Sequence, residues 1–119
     1  MIPSRAAFAF LLAATPVAAI TPEGREFVQI LKQLEPVHCE KRKLRREIAI
    51  AEVEKRSADV KALRARFAQI DAEPRTAKLE RRLAHLEPRI NSASTGVPRD
   101  PEDLQAISEQ HREAFYRCA

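Results

Sequence analysis

From Val37 to Ala72 the sequence contains neither glycine nor proline. These two residues disfavour a helix interior most strongly, and the segment is rich in Ala, Glu, Arg and Leu, which favour one. It therefore predicts a single long helix over about 37–73, about 50 Å in length at the rise of an α-helix. With two glycines in 119 residues and 32% charged residues, the composition is typical of long helices and excludes an all-β fold.

The apolar residues of this predicted helix fall on two faces. Leu44, Ile48 and Ala51 share one face, and a second set that begins at Val53 is rotated from it by roughly 100°, the turn that each helical residue adds. A helix with two apolar faces needs two neighbours, and one of them can be another molecule. We therefore predict a coiled-coil-like stripe that binds a partner protein or a second copy of the chain. Its residues are Leu44, Ile48, Val60, Leu63, Phe67 and Ile70.

Three shorter helices are predicted around the long one, over about 22–35, 75–90 and 101–118. Thr21 and Pro22 form a helix start, because threonine can cap a helix and proline tolerates its first position. Asp100 and Pro101 repeat this arrangement. Between the last two helices, residues 91–98 have the small, polar, Gly and Pro content of a loop.

Pro36 marks either a turn or a kink, because a proline disfavours helical geometry at the residue before it. The apolar spacing continues from Leu34 to Leu44, which favours a kink in one helix. The sequence LEPV around the proline equally suits a tight turn between antiparallel helices, and we favour the turn slightly.

Residues 1–19 are interpreted as a cleavable secretory signal. The first five residues include one positive charge, and residues 6–14 (AAFAFLLAA) are an uninterrupted apolar stretch. This stretch has the length expected of a signal and is shorter than the roughly 20 residues that span a membrane. Cleavage after Ala19 would leave a single helical domain over 20–119, located in the periplasm or secreted. An uncleaved N-terminal helix is the alternative.

Export changes the interpretation of the two cysteines, Cys39 and Cys118, because disulfides persist in oxidising compartments. Closing a loop of about 80 residues stabilises a chain by about 4 to 5 kcal/mol in the entropic model. A helix running outward from Cys39 and two returning helices have matching lengths, which brings Cys118 back beside Cys39. We therefore predict an all-α fold: a disulfide-stapled helical hairpin, or small coiled-coil-like bundle of three to four helices, with one long central helix. An intermolecular bridge and two free thiols are the alternatives.

Two histidines lie near the cysteines in this predicted hairpin. His38 adjoins Cys39, and His111 lies one heptad before Cys118, so that two imidazoles and two sulfurs share one region, as in a soft-metal site. The spacing matches no zinc or haem signature, and bridged sulfurs cannot ligate a metal as thiolates. We therefore expect no metal and no other cofactor.

The densest basic run surrounds Leu44. If the protein is exported, this run indicates an anionic polymer, a phospholipid surface or an acidic protein as its partner. Nucleic acid is not expected, because the cations point nearly all round the helix and no aromatic residue is interleaved for base stacking. A solvated surface segment is the alternative, and contact with a membrane surface stays open. The five residues of the run are Lys41, Arg42, Lys43, Arg45 and Arg46.

No residue pattern in the sequence indicates catalysis, because no nucleophile lies beside a base and the carboxylates alternate with Lys and Arg as on a helix surface. We therefore expect an exported, non-enzymatic helical interaction or structural protein that binds a partner protein or self-associates. An envelope chaperone or regulator that binds unfolded or acidic clients is the alternative. A soft-metal-binding protein that uses His and Cys is a further one.

Overall fold

The computed structural model describes residues 20–91 and 100–118, without the side chain of Asn91. In this part of the chain there are four helices and no strand, so the predicted all-α class is confirmed. The predicted signal and most of the predicted loop fall on residues 1–19 and 92–98, outside the described residues. None of the described helices is both long and apolar enough to cross a membrane. The helices are α1 (Pro22–Val53), α2 (Ser57–Ala72), α3 (Pro74–Asn91) and α4 (Pro101–Arg117).

The long helix is α1, and it continues through Pro36. The predicted division into helices over 22–35 and 37–73 is therefore wrong at this position. Pro36 is exposed while Leu34 and Leu44 on either side of it are buried. A proline inside a helix costs about 3 kcal/mol, whereas burying a leucine side chain contributes about 1.5 to 3 kcal/mol. Packing on both sides of the proline offsets its cost.

The second correction is at residues 54–56, where the predicted long helix ends and the chain reverses direction. Lys55 adopts a left-handed backbone conformation with φ of 57°. The N–H of Lys55 donates to the carbonyl of Glu52, and the N–H of Arg56 donates to the carbonyl of Ala51 at 2.9 Å. These two bonds form a Schellman motif, which usually has glycine in the left-handed position. Because lysine occupies this position, the absence of glycine and proline from the segment does not exclude a turn.

The four helices form two regions of different thickness. α3 packs antiparallel to the first half of α1, as the Arg82–Glu26 and Arg75–Gln33 contacts show. α4 packs beside the same half of α1 and runs parallel to it. We call this three-helix region, residues 22–39 of α1 with α3 and α4, the base. The second half of α1 pairs with α2, as the Arg66–Glu40 and Arg64–Glu52 ion pairs show, and meets α4 at its beginning, where Arg42 lies over the ring of Phe115. We call residues 40–53 with α2 the arm.

The hydrophobic core lies in the base. Leu34 and Leu86 are its most buried large side chains, at 1% and 0% exposure. In the arm, the buried apolar residues are Leu44, Ala51 and Ile70. The cluster in the base consists of Phe27, Ile30, Leu31, Leu34, Leu83, Leu86, Ile90 and Ile107.

The first turns of α1 and α4 interlock at the end of the base. Thr21 caps α1 by accepting a hydrogen bond from the N–H of Gly24 at 3.0 Å. The Asp103 carboxylate accepts the N–H of Thr21 at 2.8 Å and its hydroxyl hydrogen. Asp103 is buried and lies directly against Gly24, where a Cβ atom would collide with its carboxyl group. Asp100 caps α4 through the N–H of Glu102, as the sequence predicts.

The disulfide joins the middle of α1 to the end of α4. The Cα atoms of Cys39 and Cys118 are 5.5 Å apart, within the range that disulfides require, so the predicted intramolecular bridge is confirmed. The predicted path to it is wrong. α4 does not return along the long helix after α3; it runs from Asp103 beside Thr21 toward Arg117 beside Glu35, parallel to α1.

Candidate interaction surfaces

The predicted partner-binding stripe lies between the two helices of the arm. Leu44 and Ile70 are buried in the described chain, so they pack within the arm itself. The other four residues of the stripe are half-buried. They come from both helices of the hairpin rather than from one long helix, since the turn at 54–56 folds the stripe onto itself. These four are Ile48, Val60, Leu63 and Phe67.

The most exposed apolar side chains of the arm are at its tip. Ile50 is 52% exposed and Val53 is 83% exposed. Beside Ile50, a shallow groove of about 350 Å³ is bordered by Leu63 and by charged residues of both signs, including Glu47 and Asp59. The predicted stripe did not include Ile50 or Val53, although both are apolar residues in a charged part of the sequence.

The tip is exposed because α4 ends before reaching it. Glu35, His38 and Arg42 lie on the face of α1 that meets α4. At helical spacing this face continues through Ala49 and Val53, both of which are exposed. The position that α4 occupies beside the base is therefore uncovered beside the arm.

The ion pairs across the arm are exposed, so each contributes little to stability. Arg66 pairs with Glu40 at 2.8 Å, and Arg64 pairs with Glu52. At the turn, Arg56 donates hydrogen bonds to the carboxylates of Asp59 and Glu54, and these bonds raise its pKa. Charged pairs of this kind fix the register of the two helices more than they strengthen their association.

The basic run contacts aromatic rings that the sequence does not place near it. The ammonium group of Lys41 lies 4.9 Å from the ring centroid of Phe67, and the guanidinium of Arg45 lies 5.2 Å from the same ring. Arg42 lies 5.3 Å from the ring centroid of Phe115. Phe67 comes from α2 and Phe115 from α4, so the absence of aromatics within the run was misleading. The predicted stripe and the predicted basic run meet at Phe67.

Two exposed aromatic residues complete this surface at the end of α4. Phe115 is 59% exposed and Tyr116 is 78% exposed, and their rings meet edge to face with centroids 5.7 Å apart. His111, on the same helix, is also exposed. The buried positions of α4 are instead Asp103, Ile107 and Gln110. We call Arg42, Arg45, Arg46, Phe67, Phe115 and Tyr116 the basic–aromatic cluster.

The histidines do not form a metal site with the cysteines. Both sulfurs are in the disulfide, and Nε2 of His38 lies 2.6 Å from Oε1 of Glu80. Partial desolvation beside α1 lowers the pKa of His111, and electrostatic interactions with His38 and Arg42 lower it further. In the described ranges, no three His, Cys, Asp or Glu side chains converge in a way that could hold a metal ion.

Comparison of the chain with protein-family models, with curated proteins and with solved structures found no match. The proposals below therefore depend on the geometry of the base, the arm and the basic–aromatic cluster.

Proposed function

We propose that this protein is an exported, non-enzymatic helical interaction protein that binds a partner protein, or a second copy of itself, through the arm. The observation that carries the proposal is the exposure of Ile50 and Val53 at the tip. Isolated exposed apolar residues are ordinary on protein surfaces, but these two lie side by side on a helix whose third neighbour ends before it reaches them.

A partner helix laid along the arm would restore the packing found in the base. In the base, α1 is covered by both α3 and α4, whereas toward the tip of the arm it is joined to α2, as the ion pair between Arg64 and Glu52 shows. Full burial of an Ile or Val side chain contributes about 1.5 to 3 kcal/mol. Ile50 and Val53 expose more than half of their surface. Binding of a partner that covers them would therefore be favoured by a large part of that free energy. The mixed charges of Glu47, Arg56 and Asp59 beside the groove would orient such a helix.

The disulfide supports the exported part of the proposal, since structural disulfides belong mainly to oxidising compartments. Cleavage after Ala19 by a signal peptidase would release the chain there. Mass spectrometry of protein recovered from the exported fraction tests this directly. A mass corresponding to a chain that begins at Ile20 is expected, and a mass that includes Met1 would contradict cleavage.

Site-specific crosslinking tests the interaction. A photoreactive amino acid replaces Val53 at the tip, and in a matched variant it replaces Lys32, which is exposed on the base. We expect crosslinked products from position 53 in the native compartment, and we expect Ile50→Glu in the same chain to abolish them. Equal crosslinking from both positions, or none from position 53, would contradict a binding surface on the arm.

The same crosslinked products distinguish the two kinds of partner. A product of twice the chain mass indicates a second copy, and sedimentation of the purified protein should then show a dimer that Ile50→Glu dissociates. A product of any other mass indicates a different protein. None of these tests measures an enzymatic activity, because the proposal requires no catalytic group.

A further inference from the structure

We propose that the basic–aromatic cluster is a binding site for the surface of an anionic phospholipid bilayer. This inference goes beyond the proposed function, because it concerns a different surface and does not require that the arm bind a protein. The cluster lies where the base meets the arm, next to the disulfide, and it combines groups from α1, α2 and α4.

The cations of the cluster are available to an external anion. Arg42, Arg45 and Arg46 form no ion pair with a carboxylate in the part of the chain that the structure describes. By contrast, neighbouring cations are already neutralised: Lys41 pairs with Asp71 at 2.6 Å, and Arg117 pairs with Glu35 at 2.5 Å. Three arginines without a carboxylate partner thus lie within five residues of α1, beside the exposed rings of the cluster.

The rings position Arg42 and Arg45 rather than neutralise them. Arg42 lies over Phe115, and Arg45 lies over Phe67, at distances typical of cation–π contacts. Such a contact holds a guanidinium in place while its N–H groups stay free for phosphate oxygens, which guanidinium groups bind in bidentate fashion. Neutral rings leave the net positive charge of the patch unchanged.

The exposed aromatics distinguish a bilayer from other anionic partners. Phe115 and Tyr116 stand side by side and are mostly exposed. Aromatic rings of this kind settle at the boundary between headgroups and hydrocarbon, where the apolar ring is buried and the tyrosine hydroxyl stays hydrated. Together with adjacent cations they match the composition of surfaces that lie in a membrane interface. A purely polar anionic polymer would offer the rings no apolar environment.

The test is cosedimentation of the oxidised protein with phospholipid vesicles, using protein recovered from the exported fraction. The vesicles consist of phosphatidylcholine with 30 mol% phosphatidylglycerol, about one lipid in three, which gives a strongly anionic surface. We expect binding that weakens when NaCl is raised from 50 to 500 mM, because screening shortens the reach of surface charge. Vesicles of phosphatidylcholine alone should bind weakly or not at all.

Two variants separate the contributions of charge and of apolar contact. Each cation near an anionic surface contributes about fivefold to binding, so Arg42→Gln/Arg45→Gln/Arg46→Gln should weaken binding by about a hundredfold. Phe115→Ser/Tyr116→Ser should weaken it by about tenfold or more, because the rings lose their apolar contact. The matched control is Lys32→Gln/Lys61→Gln/Lys78→Gln, which removes the same charge from exposed positions elsewhere and should leave binding within a few-fold of the unaltered chain.

Circular dichroism and the mass of the intact disulfide check that each variant is folded. All variants share the same N-terminus, so any contribution of an uncleaved apolar segment is common to them. Equal loss in the control variant would show attraction by net charge alone and overturn the proposal. Unchanged binding by Phe115→Ser/Tyr116→Ser would show that the rings do not enter the membrane interface and would overturn the proposed site, as would the absence of any vesicle binding.

Discussion

In the base, Leu34 and Leu86 are completely enclosed by three helices, whereas in the arm Leu63 remains half-buried between two. Both regions consist of amphipathic helices from one chain, and both are crossed by exposed ion pairs. They differ in the number of neighbours that each helix has. This difference indicates that the base contains the enclosed core, whereas the arm keeps surface that a partner could still cover. If this division is correct, perturbations of equal chemistry should have unequal effects in the two regions.

The largest difference is expected from the disulfide. Replacing Cys39 and Cys118 by serine should lower the free energy of unfolding by up to about 4 kcal/mol, measured by urea denaturation. Hydrogen exchange should show that amides of α4 lose protection much more than those of α2, because the bridge ties α4 to the base. Reduction of the unaltered protein is the control and should give the same loss. Uniform loss of protection in all helices would contradict the proposed difference between the base and the arm.

A matched pair of leucine truncations should give the next largest effect. Leu86→Ala in the base should cost about 3 kcal/mol, because it leaves a cavity in a fully enclosed site. Leu63→Ala in the arm should cost about 1 kcal/mol, since that side chain is partly hydrated before the change. Urea denaturation measures both. Equal costs would mean that the arm is packed as well as the base.

The interlock of Gly24 with Asp103 predicts a cost of about 2 kcal/mol for Gly24→Ala, because the added methyl group collides with a buried carboxylate. Alanine otherwise favours a helix by about 1 kcal/mol. In an Asp103→Ala background the same change should therefore be neutral or stabilising, as a double-mutant cycle would measure. A cost that persists in that background would show that the carboxylate is not the obstacle.

At the tip of the arm, Lys55→Gly should raise stability by about 0.5 to 1 kcal/mol, because glycine adopts the left-handed conformation without strain. The control is Lys61→Gly within α2, which should cost about 1 kcal/mol. Thermal denaturation measures the change in stability of both variants. Destabilisation by Lys55→Gly would contradict the Schellman geometry.

The smallest effect concerns pH in the base. Partial desolvation and electrostatic interactions with His38 and Arg42 lower the pKa of His111 below its ordinary value of 6.5. The unfolded chain therefore takes up a proton first as the pH falls, and the stability associated with neutral His111 is lost from about pH 6.5 downward. The melting temperature of the unaltered protein should fall more between pH 7.5 and 5 than that of His111→Gln. Parallel pH curves for the two proteins would contradict this contribution.

Much of the fold could be predicted from the sequence because its strongest signals are local. The caps at Thr21 and Asp100 and the helix predicted over about 75–90 correspond to structure. The turn at 54–56 was missed because Lys55 occupies a position that usually signals itself by glycine. A sign of it was present: the apolar face rotates between Ala51 and Val53. That rotation is compatible both with two helices meeting at a turn and with one helix that has two neighbours, and the absence of glycine and proline favours the second, wrong interpretation.

The candidate surfaces were harder to predict because they combine distant parts of the chain. The basic run is visible in sequence, but its rings belong to Phe67 and Phe115, which follow it by many residues. Likewise, the exposure of Val53 in α1 depends on the point at which another helix, α4, ends. Pro36 shows the reverse situation, in which a strong local signal for a turn is outweighed by packing on both sides.

The bridge between Cys39 and Cys118 also closes the backbone into a covalent ring that includes the arm, α3 and α4. A single proteolytic cut anywhere inside this ring opens it without separating the chain into two molecules. The turn at Lys55, with basic residues exposed to any trypsin-like protease, is inside the ring. In a compartment that contains proteases, the protein can therefore be nicked at this exposed turn and still remain one covalent molecule as long as the bridge is oxidised.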